Sequence, residues 1–148
     1  MKLLLALLIT GLCYGTAIGE TVSVAAESAN IRSFPTLSGS RVILQVPQYY
    51  PLRILENEGK FFKVTDYRDR EGWIYESLVT KAPGVVVRSG PANVRKAPGT
   101  KQPVLFKAEE GVSFLRMEEQ QGWVKVRHES GSMGWISREL LWGWQSSE

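Results

Sequence analysis

Short apolar runs alternate with polar residues along most of this chain, so that side chains of one kind recur at every second position. A period of two places the two kinds of side chain on opposite faces of an extended strand. Glycine, proline, asparagine and serine separate the runs, as expected for strands joined by turns. The runs predicted as strands are Thr21 to Val24, Val42 to Val46, Leu52 to Leu55, Phe61 to Thr65, Gly72 to Ile74, Val85 to Val87, Val104 to Lys107, Val112 to Met117, Trp123 to Arg127 and Gly134 to Ile136.

This strand pattern occurs twice. Residues 134–140 restate residues 72–78 at a spacing of 62, and both copies begin with Gly-Trp-Ile. The spacing becomes 63 upstream of Pro35 and Pro98, so one residue was gained or lost between that proline and the next apolar run. Because loops absorb length changes that strands cannot, the segment 36–41 is predicted to be a surface loop.

Each repeat contains about 60 residues, which is near the lower limit for a stable domain. The composition is that of a globular protein, with 43% hydrophobic residues and five each of Trp, Tyr and Phe. Five short strands do not form a stable open sheet with one polar face. We therefore expect each repeat to form a small closed or half-closed barrel.

The second repeat carries a recognisable set of motifs. Asn93 to Pro98, Gly111, Gly122 to Val126 and Gly134 to Ile136 follow one another in this order, and the repeat closes on Leu140. Together they resemble the bacterial Src-homology-3 domain (SH3b). The resemblance implies an all-β fold of two tandem small SH3-like five-stranded barrels, and it is far less specific for function than for fold.

The first repeat matches the same pattern less closely. Asn30 to Arg32 and Pro35 are present, but Phe61 and Phe62 stand in place of the Trp, and Tyr50 stands in place of the glycine. The two copies in register cover nearly all of the chain between residues 21 and 141.

The N-terminus has the features of a secretory signal peptide. Lys2 supplies the positive charge, Leu3 to Leu12 the apolar core, and Ala17 and Gly19 the small residues before a cut at Glu20. The apolar stretch is shorter than the roughly 20 residues of a membrane span, which favours cleavage over an uncleaved anchor. We expect a periplasmic or secreted protein without a membrane span after cleavage.

The single cysteine, Cys13, lies within this leader, so the mature chain is expected to have no thiol and no disulfide. Lipid attachment to Cys13 is the alternative, but that modification needs a small residue before the cysteine, and Leu12 occupies the position.

The predicted organisation is a signal peptide (1–19), a first domain (20–80), a linker (81–84), a second domain (85–141) and a Trp-containing tail (142–148). The linker contains a proline and leads straight into a strand, so we expect the domains to be held in limited relative orientations. The tail carries two Trp residues, which either fold back over a barrel opening or form an exposed apolar patch.

Charge and exported location argue against a nucleic-acid partner. Residues 20–80 contain 7 basic and 8 acidic residues, and residues 81–148 contain 10 and 7. The basic stretch from Arg88 to Lys107 is typical of a solvated face, although it is also compatible with an anionic envelope polymer.

The residues do not assemble a catalytic site. A cysteine nucleophile is absent from the mature chain, and His128 is the sole histidine. A serine triad would need Asp66 or Asp69 to orient His128 from the other repeat. We predict no enzyme activity, no metal site and no cofactor.

Four aromatic residues are candidates for ligand contact. Tyr49 and Tyr50 lie between two prolines, and a turn that presents both rings to solvent would suit stacking on a sugar or a peptide. Trp123 lies on the polar side of its strand, and Phe61 is its counterpart in the first repeat, so each is a candidate for packing or for ligand contact.

Arg95 and Lys96 complete the candidate ligand-binding set, although an arginine that recurs in both repeats can instead satisfy loop carbonyls. Trp73 and Trp135 are predicted to fill the small barrels, because aromatic residues dominate small cores.

The sequence therefore predicts a non-catalytic envelope binding module. Its expected partner is cell-wall peptidoglycan or another envelope polymer, and the alternative is an adaptor that scaffolds envelope proteins.

Overall fold

The computed structural model describes residues 18–144. The predicted signal peptide, including Cys13, lies almost entirely outside the described residues, as does the end of the tail. Within residues 18–144, regular structure is almost entirely strand, with two single-turn 3₁₀ helices at Glu76–Leu78 and Arg138–Leu140. No helix in this part of the chain has the length and apolar character needed to span a bilayer.

Each repeat forms one antiparallel sheet of seven strands. In the first repeat the strands are β1 (Thr21–Val24), β2 (Ser28–Arg32), β3 (Val42–Pro47), β4 (Pro51–Glu58), β5 (Phe61–Thr65), β6 (Glu71–Tyr75) and β7 (Val79–Thr80). In the second they are β8 (Gly84–Val87), β9 (Ala92–Arg95), β10 (Val104–Ala108), β11 (Ser113–Gln120), β12 (Trp123–Arg127), β13 (Met133–Ser137) and β14 (Leu141–Gly143). The strand order is β3-β2-β6-β5-β4-β1-β7 in the first sheet and β10-β9-β13-β12-β11-β8-β14 in the second.

The all-β prediction and the duplication are confirmed, since the two sheets have the same order and the same irregularities of register. In the first sheet the register shifts between Ile54 and Glu56. In the second sheet it shifts at the equivalent place, between Arg116 and Glu118. The prediction of five strands per repeat missed two in each. Of these, β2 and β9 turn only two apolar residues inward, and β7 and β14 are very short. Closure of each sheet into a barrel, and the predicted domain limits, remain predictions.

The two Trp residues after the repeated glycines are buried on the side of the sheet away from the core. Trp73 and Trp135 are 9% and 8% exposed, but neither belongs to the core cluster of its repeat. In each sheet a row of five residues crosses five strands on this outer face, in the order Glu, Lys, Trp, Arg, Val. The rows are Glu56, Lys63, Trp73, Arg32, Val42 and Glu118, Lys125, Trp135, Arg95, Val104.

The prediction that these indoles fill the barrels is therefore wrong about the face. Directly opposed side chains on neighbouring strands lie within contact distance, so a Lys and an Arg flank each indole. The aliphatic stems of such cations cover apolar surface while their charged ends reach water. This accounts for a buried Trp on the outer face, between two charged side chains.

The repeated glycine before each Trp is required by a close approach between strands. A Cβ atom on Gly72 would lie 2.4 Å from Ile31 Cγ2 and 3.0 Å from the Arg32 carbonyl oxygen, and both of those residues belong to β2. On Gly134 it would lie 2.5 Å from Val94 Cγ1 and 3.0 Å from the Arg95 carbonyl oxygen in β9. The glycine thus lets β2 and β9 cross their neighbouring strands.

The two repeats pack against each other directly. Val86, on β8 of the second repeat, is fully buried and belongs to the core cluster of the first, whereas its neighbours Val85 and Val87 belong to the second core. The buried Ser23 hydroxyl donates to the Ala82 carbonyl at 2.7 Å. A Cβ atom on Gly84 would lie 2.1 Å from the Tyr49 carbonyl oxygen, so the backbones of the two repeats are too close here for any residue other than glycine.

The described part of the tail folds back onto this junction. Trp142, in β14, is half-buried and packs on the first core, with the Arg53 guanidinium 5.5 Å from its ring centroid. The Arg116 guanidinium lies 4.4 Å from the ring centroid of Trp144. Of the two alternatives for these Trp residues, folding back is confirmed, although they cover the junction rather than an opening.

Candidate ligand-binding cleft

Tyr50, predicted to be exposed, is only 3% exposed and belongs to the first core. Its hydroxyl donates to Asp66 Oδ2 at 3.0 Å and accepts from Arg70 Nη2 at 3.2 Å. Burial raises the pKa of the Tyr50 phenol, and the negative charge of Asp66 raises it further. The prediction of two solvent-facing tyrosine rings is therefore wrong for Tyr50, whose polar end is satisfied inside the protein.

Tyr49 is half-buried and has a left-handed backbone, with φ at +68°. Its counterpart at a spacing of 62 is Gly111, which also has a positive φ, +89°. The prediction that Tyr50 stands in the place of that glycine is wrong, because the shared backbone conformation shows that Tyr49 occupies it. The true counterpart of Tyr50 is Val112.

Phe61 and Trp123 occupy equivalent positions with different surroundings. Phe61 is 7% exposed and packs edge-on against Tyr75, with ring centroids 5.3 Å apart. Trp123 lies opposite Ser137 in the same register, and it is only half-buried. Phe61 is therefore a packing residue, and the hypothesis of ligand contact is retained only for Trp123.

Arg95 and Lys96, the two charged candidates, also differ in their surroundings. The Arg95 guanidinium donates from Nη1 to the Gln102 carbonyl at 2.8 Å, so this arginine does satisfy a loop carbonyl. Lys96 is exposed, and its backbone N–H donates to the Pro103 carbonyl. Of the two, only Lys96 keeps a free position for an external ligand.

A cleft at the junction of the repeats brings together residues that the sequence analysis did not assign to binding. Its first section, of about 550 Å³, lies between the repeats. Its second section, of about 290 Å³, lies on the second repeat, and His128 and Ser130 line both sections. The remaining lining residues are Glu27, Ser28, Gln48 and Glu129 in the first section and Phe106, Lys107, Ala108, Glu109, Val112, Phe114 and Ser132 in the second.

Contacts across the junction hold the walls of this cleft in place. The Ser113 hydroxyl donates to the Gln48 carbonyl at 2.7 Å. Tyr67 Oη donates to Glu110 Oε1 at 3.1 Å, and Arg68 Nε donates to the same oxygen at 2.8 Å. The first section of the cleft therefore exists only because the two repeats are docked.

His128 stands where the two sections meet. The Ser130 N–H donates to His128 Nδ1 at 3.2 Å, so in the neutral ring the proton is on Nε2, which remains a donor. The ring packs edge-on against the buried Phe114, with centroids 5.6 Å apart. The Ser130 hydroxyl, 2.9 Å from Nδ1 and 3.2 Å from the Ser132 hydroxyl, completes a polar edge.

Asp66 does not orient His128 in the way that a serine triad would need. Its carboxylate is fully buried and accepts from Arg70 Nε at 2.8 Å, from Tyr50 and from the N–H groups of Arg68 and Arg70. Among residues 18–144, no cluster of three or more His, Cys, Asp or Glu side chains is arranged to hold a metal ion.

Comparison with known protein families agrees with the duplicated fold. Residues 27–80 and residues 81–143 each match a bacterial SH3 domain family. The chain is a tandem pair of bacterial SH3 domains.

One curated relative of this SH3 pair is YrvJ of Bacillus subtilis (strain 168), which is named as an N-acetylmuramoyl-L-alanine amidase. The two are 28% identical over 137 residues, covering 84% of this chain and 26% of the relative. The chain thus spans about a quarter of the length of that relative.

Solved structures that the pair resembles include NlpC1 and NlpC2 of Trichomonas vaginalis, at 18% and 15% identity and a TM-score of 0.38 for each. The matches cover 99% and 90% of this chain and 53% and 52% of those chains.

The only signal of the cleft in the sequence is a set of positions at which the two repeats differ. Val112, His128 and Ser132 replace Tyr50, Asp66 and Arg70 at the spacing of 62. Hydrophobic periodicity does not report such differences, since it depends on what the repeats share.

Proposed function

We propose that this tandem SH3 pair is a non-catalytic module that binds cell-wall peptidoglycan. The observation that carries the proposal is the cleft lined by both domains, in which hydrogen-bonding side chains lead into an apolar pocket. The second section, which is mostly apolar with a few directional polar groups, is of the kind that typically binds a ligand. The likeness to a relative named as an N-acetylmuramoyl-L-alanine amidase supports the choice of ligand, as does the predicted export signal.

The chemistry of the first section suits a polymer rich in hydroxyl and amide groups. Ser28, Gln48 and Ser130 supply groups that both donate and accept hydrogen bonds, and His128 supplies a donor. Glu27 and Glu129 place negative charge on the walls, which disfavours a strongly anionic polymer. Of the basic stretch of the second domain only Lys107 lines the cleft, so that stretch does not define its ligand.

The alternative, an adaptor for envelope proteins, has one specific observation in its favour. Phe34, Leu37 and Ile43, in and beside the loop between β2 and β3, are 61%, 65% and 45% exposed. Exposed apolar side chains this close in sequence are typical of a protein contact.

The proposal is tested by sedimentation of the purified chain with insoluble peptidoglycan sacculi at low and moderate salt. We expect saturable pelleting that Ser28→Arg weakens at least tenfold, because Ser28 is exposed on the wall of the cleft and the longer side chain would obstruct it. Ser38→Arg adds the same side chain at an exposed loop position and should leave pelleting unchanged.

Wild-type protein that remains in the supernatant at both salt concentrations would contradict the wall-binding function. A protein partner, sought by crosslinking in the envelope, would then become the leading candidate.

A further inference from the structure

The two domains differ at the places that surround the second section of the cleft. With the spacing of 62 applied, Tyr50 corresponds to Val112, Asp66 to His128, Arg68 to Ser130 and Arg70 to Ser132. All four residues of the second domain line its 290 Å³ pocket. Three of the four changes exchange a long or aromatic side chain for a small one.

In the first domain the same place is filled by the protein itself. The Tyr50 ring is buried in the core, and its hydroxyl is held between Asp66 and Arg70. The first domain thus has an internal plug, which consists of a six-membered ring whose hydroxyl is hydrogen-bonded to the side chain at position 66.

In the second domain the plug is missing and its surroundings remain. Phe114, the counterpart of Leu52, is fully buried beneath the pocket, and Phe106 and Val112 extend the apolar floor. His128 takes the position of Asp66 and keeps a polar group at the rim, beside the hydroxyls of Ser130 and Ser132.

We propose that this pocket binds one uncharged sugar ring of a glycan chain, with its apolar face on the Phe106 and Val112 floor and its hydroxyls on the His128, Ser130 and Ser132 rim. The proposal rests on the proposed function for the source of the sugar. The volume lies at the lower end for ligand pockets, which suits a single ring.

The rim favours hydroxyl groups over charged ones. Lys107 and Glu109 both line the pocket, so it holds one charge of each sign and no net preference for a charged ligand. Serine hydroxyls donate and accept, as sugar hydroxyls do. Since His128 and Ser130 also line the first section, neighbouring rings of the same chain would continue across the junction.

The experiment is a titration of the full chain with a soluble tetrasaccharide of N-acetylglucosamine, followed by backbone amide NMR shifts. We expect saturable one-to-one binding, with the largest shifts at Ser130, Ser132 and His128. The amides of Asp66 and Arg70, which hold the plug of the first domain and line neither section of the cleft, should not shift.

Two variants rebuild the plug in the second domain. Ser132→Arg places the residue of the first domain at an exposed position and carries little folding risk, whereas Val112→Tyr/His128→Asp/Ser132→Arg restores the Tyr, Asp and Arg that form the plug of the first domain. Each is expected to weaken tetrasaccharide binding at least tenfold while retaining dispersed amide spectra. Thr100→Arg, at an exposed loop position of the same domain, is the control and should bind as wild type does.

The results separate this proposal from the wall-binding function. Undiminished affinity in folded Ser132→Arg protein, or shifts confined to the first domain, would overturn the pocket assignment even if sacculi are bound. Loss of sacculus binding in the plugged variants would support both proposals. If wild-type protein does not pellet with sacculi, the wall function fails, and the tetrasaccharide titration alone decides the pocket.

Discussion

Asp66 is a charged residue placed where charge is costly, and its hydrogen bonds explain how the fold tolerates it. Burial alone would raise the pKa of this carboxyl group, but hydrogen bonds from Arg70, Tyr50 and the Arg68 N–H lower it below its ordinary value of 3.8. The group is therefore charged in the folded protein at neutral pH. Its partner Arg70 is itself partly exposed, which keeps one side of the pair in contact with water.

Asp66→Asn is expected to lower the free energy of unfolding by about 3 kcal/mol at pH 7, because it leaves Arg70 and its neighbours without their carboxylate. A carboxylate with a lowered folded-state pKa stabilises the fold fully above its unfolded-state pKa, and the stabilisation is lost as the pH falls through the folded-state pKa. The difference between wild type and variant should therefore shrink below pH 3.8.

Urea denaturation at pH 7, 4 and 3 measures this difference. Asp69→Asn, at an exposed turn residue with φ at +59°, serves as the matched control and should be close to neutral. A gap between wild type and Asp66→Asn that stays constant down to pH 3 would show that the charge of Asp66 is not what stabilises the network.

At the scale of strands, the Gly-Trp dipeptide has the same structural role in each domain. The glycine lets β6 or β13 come close to β2 or β9, and the following Trp lies on the outer face between a Lys and an Arg of the neighbouring strands. Because a strand alternates its side chains, the glycine must face the core when the Trp faces outward. The dipeptide therefore marks a crossing of strands rather than a bend of the chain alone.

Gly134→Ala is expected to destabilise the protein by about 2 kcal/mol, because the added methyl group is forced against a packed neighbour. The contact concerned is with Val94 Cγ1, at 2.5 Å. Chemical denaturation of Gly134→Ala, Val94→Ala and the double variant forms a cycle that isolates this contact. The double variant should lose less stability than the sum of the single losses, and simple additivity would count against the clash as the cause.

At the scale of the whole molecule, the junction makes the two domains one packed body. Consecutive valines of β8 serve different cores: Val85 and Val87 face the second domain, and Val86 fills the first. The cleft depends on this docking, since its first section has one wall in each domain. If the two domains were joined by a flexible linker without docking, the second section of the cleft would still exist, but the first section would not.

Val86→Ala should therefore destabilise the first domain, although the residue belongs to the second. We expect a loss of about 2 kcal/mol, as is typical when buried aliphatic groups are removed. Hydrogen exchange should accelerate most at the amides of Val24 and Ile54, which belong to the same core. Val85→Ala is the matched comparison and should accelerate exchange in the second domain first, at Val94 and Val126.

Equal acceleration in both domains for both valine variants would mean that the protein unfolds as a single cooperative unit. Acceleration confined to the second domain in both cases would show that Val86 does not contribute to the first core.

Five of the seven strands in each repeat, the duplication and the recurrence of the Gly-Trp-Ile motif were determined by the sequence alone. These features depend on hydrophobic periodicity and on repeated spacing, which are read directly from the order of residues in the chain. For the same reason the loop between β2 and β3 could be located from a single inserted residue.

Only the tertiary structure decided which aromatic residues reach solvent. Tyr50 is buried in the first core, where its hydroxyl bonds Asp66 and Arg70 from 16 and 20 positions further along the chain. Phe61 is buried and Trp123 is not, because one lies opposite Tyr75 and the other opposite Ser137. The cleft likewise arises from docking of the two domains and from the missing plug in one of them. Accessibility is set by neighbours that are distant in sequence, and a pattern of hydrophobic and polar positions does not specify them.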